Sequence, residues 1–410
     1  MITPAYSPTA TERALPRMAL DFTTGILDSR VTVTRALNTA TRINSSGIVE
    51  GVNANLPRFD YDPATLAARG LLIEETRVNL FLQSSDTTQS DWIKALVSVS
   101  TTTTSPDGTS NAYKVSENST ATDAFYLRQN ASSPAGSHTL SFFAKKAERD
   151  VIFASLDGAS NTKWFDLTNG TTGGTGGGTS RIIAYPNGWY RCEYAFTTSS
   201  GTLNNFLFLS NTTSAITHTG SVGSGLFIWG AQLEAGAFAT SYIPTTTTSL
   251  TRNADVVSMT GTNFSSWYNA SEGTFVVQFD SATISATGAA VYYAFGASDG
   301  TAANFNGAYL FQTTGYAATT VSSSNQVNIT VGAVTVNATQ KIAYAYKAND
   351  FAAALNGATA NLDTAGNLPT VDRLTIGALY SGSNIINGHV AKLAYYAPRL
   401  INNEVRAFSK

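Results

Sequence analysis

The chain has 410 residues and a net charge of −2, and only 13% of its residues are charged while 43% are hydrophobic. The absence of any Lys- or Arg-rich run excludes a typical nucleic-acid-binding protein. The sequence also contains no run of about 18 apolar residues, so membrane insertion is not predicted. Solubility must then depend on Ser, Thr, Asn and Gly, which is typical of β-rich proteins rather than of long surface helices.

Short runs of alternating apolar and polar residues dominate the chain, and Gly, Asn, Asp, Ser and Pro turns separate them. This pattern is typical of sandwiches and jelly rolls, and at about 100–200 residues per domain the length allows two or three domains. We therefore predict an all-β protein with two β-sandwich (jelly-roll) domains in tandem after an N-terminal extended or docking region.

Residues 1–78 contain short strands, such as Leu20–Phe22 and Val31–Val33, and little apolar content for a core of their own. We predict that they form an arm that docks on another component. The first residues lack the apolar stretch of a signal peptide, so export through a standard secretory route is not expected.

Residues 79–248 are predicted to form the first sandwich. Cys192 lies at a period-two position in a strand, which favours a small buried side chain over a reactive thiol. The glycine-rich stretch at 171–180 is interpreted as a flexible hairpin tip, because a phosphate-binding loop would need a following helix with Lys and Ser or Thr. Thr245–Ser249, just after Pro244, is the best candidate linker.

Residues 249–410 are predicted to form the second sandwich. Phe275, Val277 and Phe279 share one face of a strand, and Asn356-Gly357 is a strong turn signal. A short helix is expected near the C-terminus.

Several unusual strings occur in order and resemble those of phage and prophage tail or tail-fibre-associated proteins. They are Pro57–Pro63 (PRFDYDP), Arg69–Phe81 (RGLLIEETRVNLF), Asn187–Arg191 (NGWYR), Phe227–Glu234 (FIWGAQLE), Thr240–Thr245 (TSYIPT) and Thr251–Asp255 (TRNAD). The resemblance spans most of the first two parts and the linker, and it implies a structural protein of a bacteriophage particle.

Two further resemblances concern the sandwiches. The middle part is similar to carbohydrate-binding-module jelly rolls, and the third part resembles concanavalin A-like and laminin-G-like sandwiches. The strings that carry the second likeness are Asn356-Gly357, Leu374–Gly377, Asn387-Gly388 and Leu400–Val405. Both resemblances imply glycan-binding folds, but function depends on the site rather than on the fold.

The sequence gives no clear catalytic pattern. A glycan hydrolase on such a sandwich needs a carboxylate pair entering one cleft, and the nearest pair, Glu148 and Asp150, is better interpreted as a solvated strand end. His138, His218 and His389 are isolated in sequence and fit no transition-metal motif. A Ser-His-Asp arrangement stays open because its members need not be adjacent. We predict that the protein is not an enzyme.

Calcium is the one cofactor that the sequence leaves open. Asp107, Asp157 and Asp299 stand in Asp-Gly turns and are weak candidates for oxygen ligands. The alternative is that each aspartate only forms its turn.

Glycan contact requires aromatic faces next to amides or carboxylates. Trp267, Tyr268 and Asn269 form one such group, and Tyr316 is a further candidate, as are Tyr292 and Tyr293. The alternative is that these aromatics are core residues, as most must be in a chain with 11% aromatic residues.

The leading hypothesis is a non-catalytic bacteriophage virion protein, of the tail fibre, tail tip or head surface, assembled in the host cytoplasm. Its N-terminal part would contact other virion proteins, and its sandwiches would meet host surface polysaccharide. A homo-oligomer, with a trimer favoured, would raise weak sugar affinity through multivalency. The alternatives are a capsid decoration or cement protein without sugar binding, a bacterial surface carbohydrate-binding protein, and a glycan depolymerase.

Overall fold

A computed structural model describes residues 15–156, 161–199, 201–283, 290–380, 382 and 384–410. These residues form antiparallel β-sheets with two short α-helices, including the expected C-terminal one, which confirms the predicted all-β class. No helix among them is long and apolar enough to cross a membrane.

The strands fall into three groups along the chain. The first group comprises β1 (Met18–Asp21), β2 (Thr32–Thr34), β3 (Ala40–Ile43), β4 (Val49–Val52), β5 (Phe59–Tyr61), β6 (Ala68–Ile73) and β7 (Arg77–Asn79). The second comprises β8 (Ile93–Ala95), β9 (Val97–Thr103), β10 (Ala112–Glu117), β11 (Thr122–Ser132), β12 (Gly136–Lys146), β13 (Val151–Leu156), β14 (Asn161–Asp166), β15 (Thr171–Gly173), β16 (Thr179–Ala184), β17 (Trp189–Thr198), β18 (Thr202–Ser210), β19 (Thr217–Thr219) and β20 (Gly225–Ala235).

The third group comprises β21 (Leu250–Arg252), β22 (Val256–Thr260), β23 (Glu272–Phe279), β24 (Val291–Ser298), β25 (Phe305–Phe311), β26 (Thr314–Val321), β27 (Ser324–Ala333), β28 (Gln340–Lys347), β29 (Phe351–Leu355), β30 (Asn361–Asp363), β31 (Arg373–Ile376) and β32 (Gly388–Tyr396). Helix α1 (Thr262–Ser265) precedes β23, and helix α2 (Asn402–Phe408) follows β32.

The middle sandwich packs the sheet β16-β17-β12-β20-β10-β9 against the sheet β15-β14-β13-β18-β11-β19, with β8 paired to β11. Alternate residues of these strands face one shared core, as the period-two pattern predicts. Cys192 is fully buried in this core, and burial raises the pKa of its thiol well above its usual value. The thiol is therefore a packed apolar group.

The C-terminal sandwich consists of the sheet β30-β29-β28-β23-β32-β6-β5, with β1 also paired to β32, and the sheet β2-β22-β31-β24-β25-β26-β27. Phe275, Val277 and Phe279 of β23 are buried in the core between these sheets, as expected from their shared face.

The sequence predicts an arm over residues 1–78, but the structure places much of this region inside the C-terminal sandwich. Strands β1 and β6 pair with β32, and β2 pairs with β22. Met18, Leu20 and Phe22 are buried and join the core of that sandwich. The N-terminal region has too few apolar residues for a core of its own. It needs none, because its buried residues complete the core of the C-terminal sandwich.

The middle sandwich is inserted into the chain of the C-terminal one. Strand β7, which leads into it, pairs antiparallel with β21, which leads out of it. The first residue of the candidate linker, Thr245, is buried and hydrogen-bonded to the protein. Thr245 is only 3% exposed, its N–H donates to Ser84 Oγ at 2.9 Å, and its hydroxyl donates to the Phe81 carbonyl at 2.6 Å.

The glycine-rich stretch is not the tip of a hairpin, because it connects β15 and β16 in opposite sheets. A Cβ on Gly178 would lie 2.1 Å from the Ala195 carbonyl oxygen, and one on Gly174 would lie 2.6 Å from that of Thr162. Both glycines have positive φ. Glycine is needed at both positions because the connection between β15 and β16 lies directly against the neighbouring backbone, which leaves no room for a side chain.

Candidate functional site

The predicted sugar-contact group of Trp267, Tyr268 and Asn269 makes its hydrogen bonds within the C-terminal sandwich. Trp267 is 2% exposed, and its indole N–H donates to the Asn263 carbonyl at 2.7 Å. The hydroxyl of Tyr268 accepts a hydrogen bond from Asn306 Nδ2 at 3.2 Å.

The Asn269 side-chain amide donates to the Ala397 carbonyl at 3.2 Å. The structure therefore corrects the expected role of this group. A sugar cannot stack on the buried Trp267 ring, and the polar atoms of Tyr268 and Asn269 bind the protein itself.

Tyr316 has a different environment, because it lies on the face of its sheet that points away from the core. In the strand register it is opposite Tyr309, and Tyr309 is opposite Tyr293. The ring centroids are 5.2 Å apart for Tyr309–Tyr316 and 5.1 Å apart for Tyr293–Tyr309. We call these three residues the tyrosine row.

The local sequence explains why the row forms. A two-residue turn joins β25 to β26, and its first residue, Gln312, has a φ of +52°. The turn fixes the register that places Tyr309 opposite Tyr316. Because side chains alternate along a strand, Ala308 and Leu310 point into the core while Tyr309 points outward.

Polar groups border the tyrosine row on its open side. The Tyr309 hydroxyl donates to Asn328 Oδ1 at 2.9 Å, and Thr330 is opposite Tyr316 on the next strand. Asn328 and Thr330 are exposed, whereas Tyr309 and Tyr316 are half-buried and Tyr293 is buried. Burial raises the pKa of Tyr309, so its hydroxyl stays protonated as a donor at neutral pH.

This arrangement combines flat aromatic surface with amide and hydroxyl groups at its edge. Aromatic side chains supply apolar contact area, and tyrosine adds a polar end. A sugar presents an apolar C–H face and hydroxyl edges, so it can satisfy both parts of the surface. Sequence reasoning identified Tyr316 and Tyr293, but it missed Tyr309 and Asn328. The sequence offers one signal for Tyr309. It stands three residues before the turn between β25 and β26, and Tyr316 stands three residues after that turn.

The middle sandwich carries a second row of aromatic side chains, also directed away from its core. Its members are opposite one another on β11, β18, β13 and β14, and they are Tyr126, Phe208, Phe153 and Trp164. Phe206 and Ile216 pack beside them, and the Arg128 guanidinium lies 5.4 Å from the Phe206 ring centre. This middle aromatic row is more apolar than the tyrosine row, since three of its four rings carry no hydroxyl.

The described calcium candidates are explained by turn formation. Asp107 accepts hydrogen bonds from the N–H and hydroxyl of Thr109 at 3.0 and 2.8 Å. Asp299 accepts from the N–H of Thr301 at 2.9 Å and from Asn304 Nδ2 at 2.9 Å. Asp157 lies outside the described residues. Within the described ranges, no group of three or more His, Cys, Asp and Glu side chains is placed to hold a metal.

Comparisons with known proteins give distant similarity only. No protein-family model matches the chain, and a search of curated proteins gave no match. The carbohydrate-binding module of the Ruminococcus gnavus IT-sialidase, solved with α2,3-sialyllactose, is 14% identical; the match covers 34% of this chain and 83% of that chain at a TM-score of 0.30.

Two larger proteins show a similar degree of likeness. The receptor-binding domain of botulinum neurotoxin C/D mosaic serotype is 7% identical, with 38% of this chain and 40% of that chain covered at a TM-score of 0.30. The sialidase of Trypanosoma rangeli is 10% identical, with 76% and 61% covered at a TM-score of 0.29. Similarity at this level says nothing about the ligand of this chain.

Proposed function

We propose that the chain is a non-catalytic carbohydrate-binding protein and that the tyrosine row of its C-terminal sandwich is the sugar-binding surface. The observation that carries the proposal is the in-register row of Tyr293, Tyr309 and Tyr316, in which Tyr309 and Tyr316 stack beside the exposed amide of Asn328. A pyranose ring stacks on Tyr316 and Tyr309, and its hydroxyls bind Asn328 and Thr330.

We further propose that the protein is a bacteriophage virion component that presents this surface to host polysaccharide as a homo-oligomer, with a trimer favoured. The support is the sequence resemblance to tail and tail-fibre-associated proteins. Three of its strings supply residues to the contact between the two sandwiches. Ser241 donates to Glu74 at 2.8 and 2.7 Å through its N–H and hydroxyl, and Arg58 Nη1 donates to Ser241 Oγ at 2.7 Å. These three strings therefore meet at the junction of the sandwiches.

A glycan array probed with the full-length protein tests the sugar-binding proposal. We expect binding to a subset of bacterial surface polysaccharides and a loss of about thirtyfold in affinity on Tyr309→Ala, because truncating an aromatic anchor costs about 2 kcal/mol. Trp164→Ala is the matched control, since it removes a half-buried aromatic ring from an outward sheet face of the other sandwich.

The outcomes separate the alternatives. Loss of binding in Trp164→Ala but not in Tyr309→Ala would move the site to the middle sandwich and refute our assignment. No binding to any glycan by the oligomer would favour a decoration or cement role. Release of reducing ends from a bound polysaccharide would refute the non-catalytic proposal, and absence of the chain from purified particles of the source would refute the virion proposal.

A further inference from the structure

A cleft between the two sandwiches is lined by several charged side chains, and one of them, Arg191, has a buried donor without a hydrogen-bond partner among the described residues. Arg181 on β16 and Glu193 on β17 are directly opposite each other and form the wall on the side of the middle sandwich. Asp280 and Asn337 line the side of the C-terminal sandwich. The cleft has a volume of about 120 Å³, which is room for several waters or one small ligand.

Arg191 lies on the same face of β17 as Glu193, two residues away. It is 8% exposed, and its Nη2 donates to the Thr240 carbonyl at 2.5 Å and to Ser141 Oγ at 3.3 Å. Its Nε is buried and has no hydrogen-bond partner among the described residues.

The Glu193 carboxylate lies beside Arg191, and its side chain is 12% exposed. Its nearest cationic nitrogens are Arg191 Nε at 3.7 Å and Arg181 Nη1 at 3.8 Å, both too distant for a hydrogen bond. Burial raises the pKa of this carboxyl even though both arginines lower it. Buried polar groups in proteins nearly always have partners, so the open Arg191 Nε on the cavity wall indicates a missing acceptor.

The charges of the cleft restrict the chemistry of that group. An anion would face Glu193, and a cation would face Arg181 and Arg191. A neutral hydroxyl can donate to Glu193 and accept from Arg191 at the same time. The rings of Phe143 and Tyr185, whose centres are 5.0 Å apart, add an apolar part to the cavity wall.

We propose that this cleft is a second carbohydrate site, separate from the tyrosine row, that holds one neutral sugar ring. One sugar hydroxyl bridges the Glu193 carboxylate and Arg191 Nε, and the apolar face of the ring contacts the half-buried Tyr185 ring.

Access to the cavity passes Arg181. Its side chain is 44% exposed, and its Nη1 donates to Asn337 Oδ1 at 3.4 Å across the gap between the sandwiches. Two open grooves outside the cavity share both of these residues with it. Arg181 and Asn337 therefore stand where the cleft meets these grooves.

Saturation-transfer NMR with D-galactose, D-glucose, D-mannose and L-fucose tests the proposal on the full chain. We expect saturation transfer to at least one sugar, and a loss of at least tenfold in affinity on Glu193→Gln, which keeps the shape and removes one acceptor. Glu148→Gln is the matched control, because that carboxylate belongs to the same sandwich but is 54% exposed and already paired with Lys114.

Arg181→Ala provides a second variant at an exposed position, should Glu193→Gln fold poorly; it is expected to raise both association and dissociation rates. Unchanged affinity in Glu193→Gln, transfer to none of the four sugars, or a crystal structure with sugar present that shows only waters between Glu193 and Arg191 would each overturn the proposal. Sugar binding in the cleft should be unchanged in Tyr309→Ala. The experiment can therefore refute the cleft proposal and the tyrosine-row proposal separately.

Discussion

Replacing Asp255 by asparagine should destabilise the junction of the two sandwiches more than any surface change. Asp255 belongs to a buried group of five charged side chains that we call the junction cluster. Its members are Arg35, Arg58, Glu74, Arg252 and Asp255. Asp255 is 2% exposed, so its carboxylate has little water to replace lost partners.

The size of the effect follows from the contacts of Asp255. Its Oδ1 accepts from Arg35 Nη1 at 2.8 Å, and its Oδ2 accepts from Arg58 Nη2 and from the Glu74 N–H. Asparagine cannot neutralise the arginines, which would then face Glu74 as the one remaining carboxylate of the cluster. Removing one partner of a buried pair costs about 3–5 kcal/mol, and we expect a loss in this range.

Urea unfolding followed by tryptophan fluorescence measures the change. Asp372→Asn is the control, because Asp372 pairs with its neighbour Arg373 at a site where its side chain is 64% exposed, and such pairs contribute about 0–1 kcal/mol. A loss below about 1 kcal/mol for Asp255→Asn would refute the reasoning, since it would mean that the buried arginines find other compensation.

Three further predictions concern pH, reactivity and backbone strain. Burial alone would lower the pKa of His389, but the charge of Asp280 and the hydrogen bonds that the imidazole donates to two carboxylates outweigh it and raise that pKa above 6.5. This stabilisation is complete below about pH 6.5 and is lost as pH rises through the folded value. Urea midpoints between about pH 6 and pH 9 should therefore fall more in wild type than in His389→Gln. The Cys192 thiol should not react with a maleimide until the protein unfolds, which mass spectrometry reads directly, and rapid native labelling would contradict its burial. Gly70→Ala should lower the free energy of unfolding in urea by at least about 1–3 kcal/mol. Gly70 has a φ of +109°, and a Cβ there would lie 2.5 Å from the Val390 carbonyl oxygen. A urea midpoint equal to that of the wild type would show that the backbone can shift.

The fold class could be read from the sequence because it depends on a local property. Alternation with period two marks a strand with one buried face, and turn residues mark where each strand ends. The division of the chain into domains was harder to predict from the sequence, because it depends on strand pairing between residues that are far apart in the chain. Leu20 is opposite Leu393 in the structure, and no short-range pattern around either residue indicates the other. A region with thin apolar content was therefore interpreted as an arm rather than as part of a shared core.

The same limit applies to the candidate site. Alternation shows that Tyr309 and Leu310 lie on opposite faces of β25, but it cannot show which face meets the core when both faces carry large apolar residues. Trp267 and Tyr268 have the composition of a sugar-contact group, and they lie next to a short helix that packs inward. Tyr316 lies in a strand, and its outward position depends on register, which is set by the turn and by the neighbouring strands. For this reason the decisive experiment on function compares two outward-facing aromatic rings, Tyr309 and Trp164, rather than an outward ring with a core ring, whose removal would report stability alone.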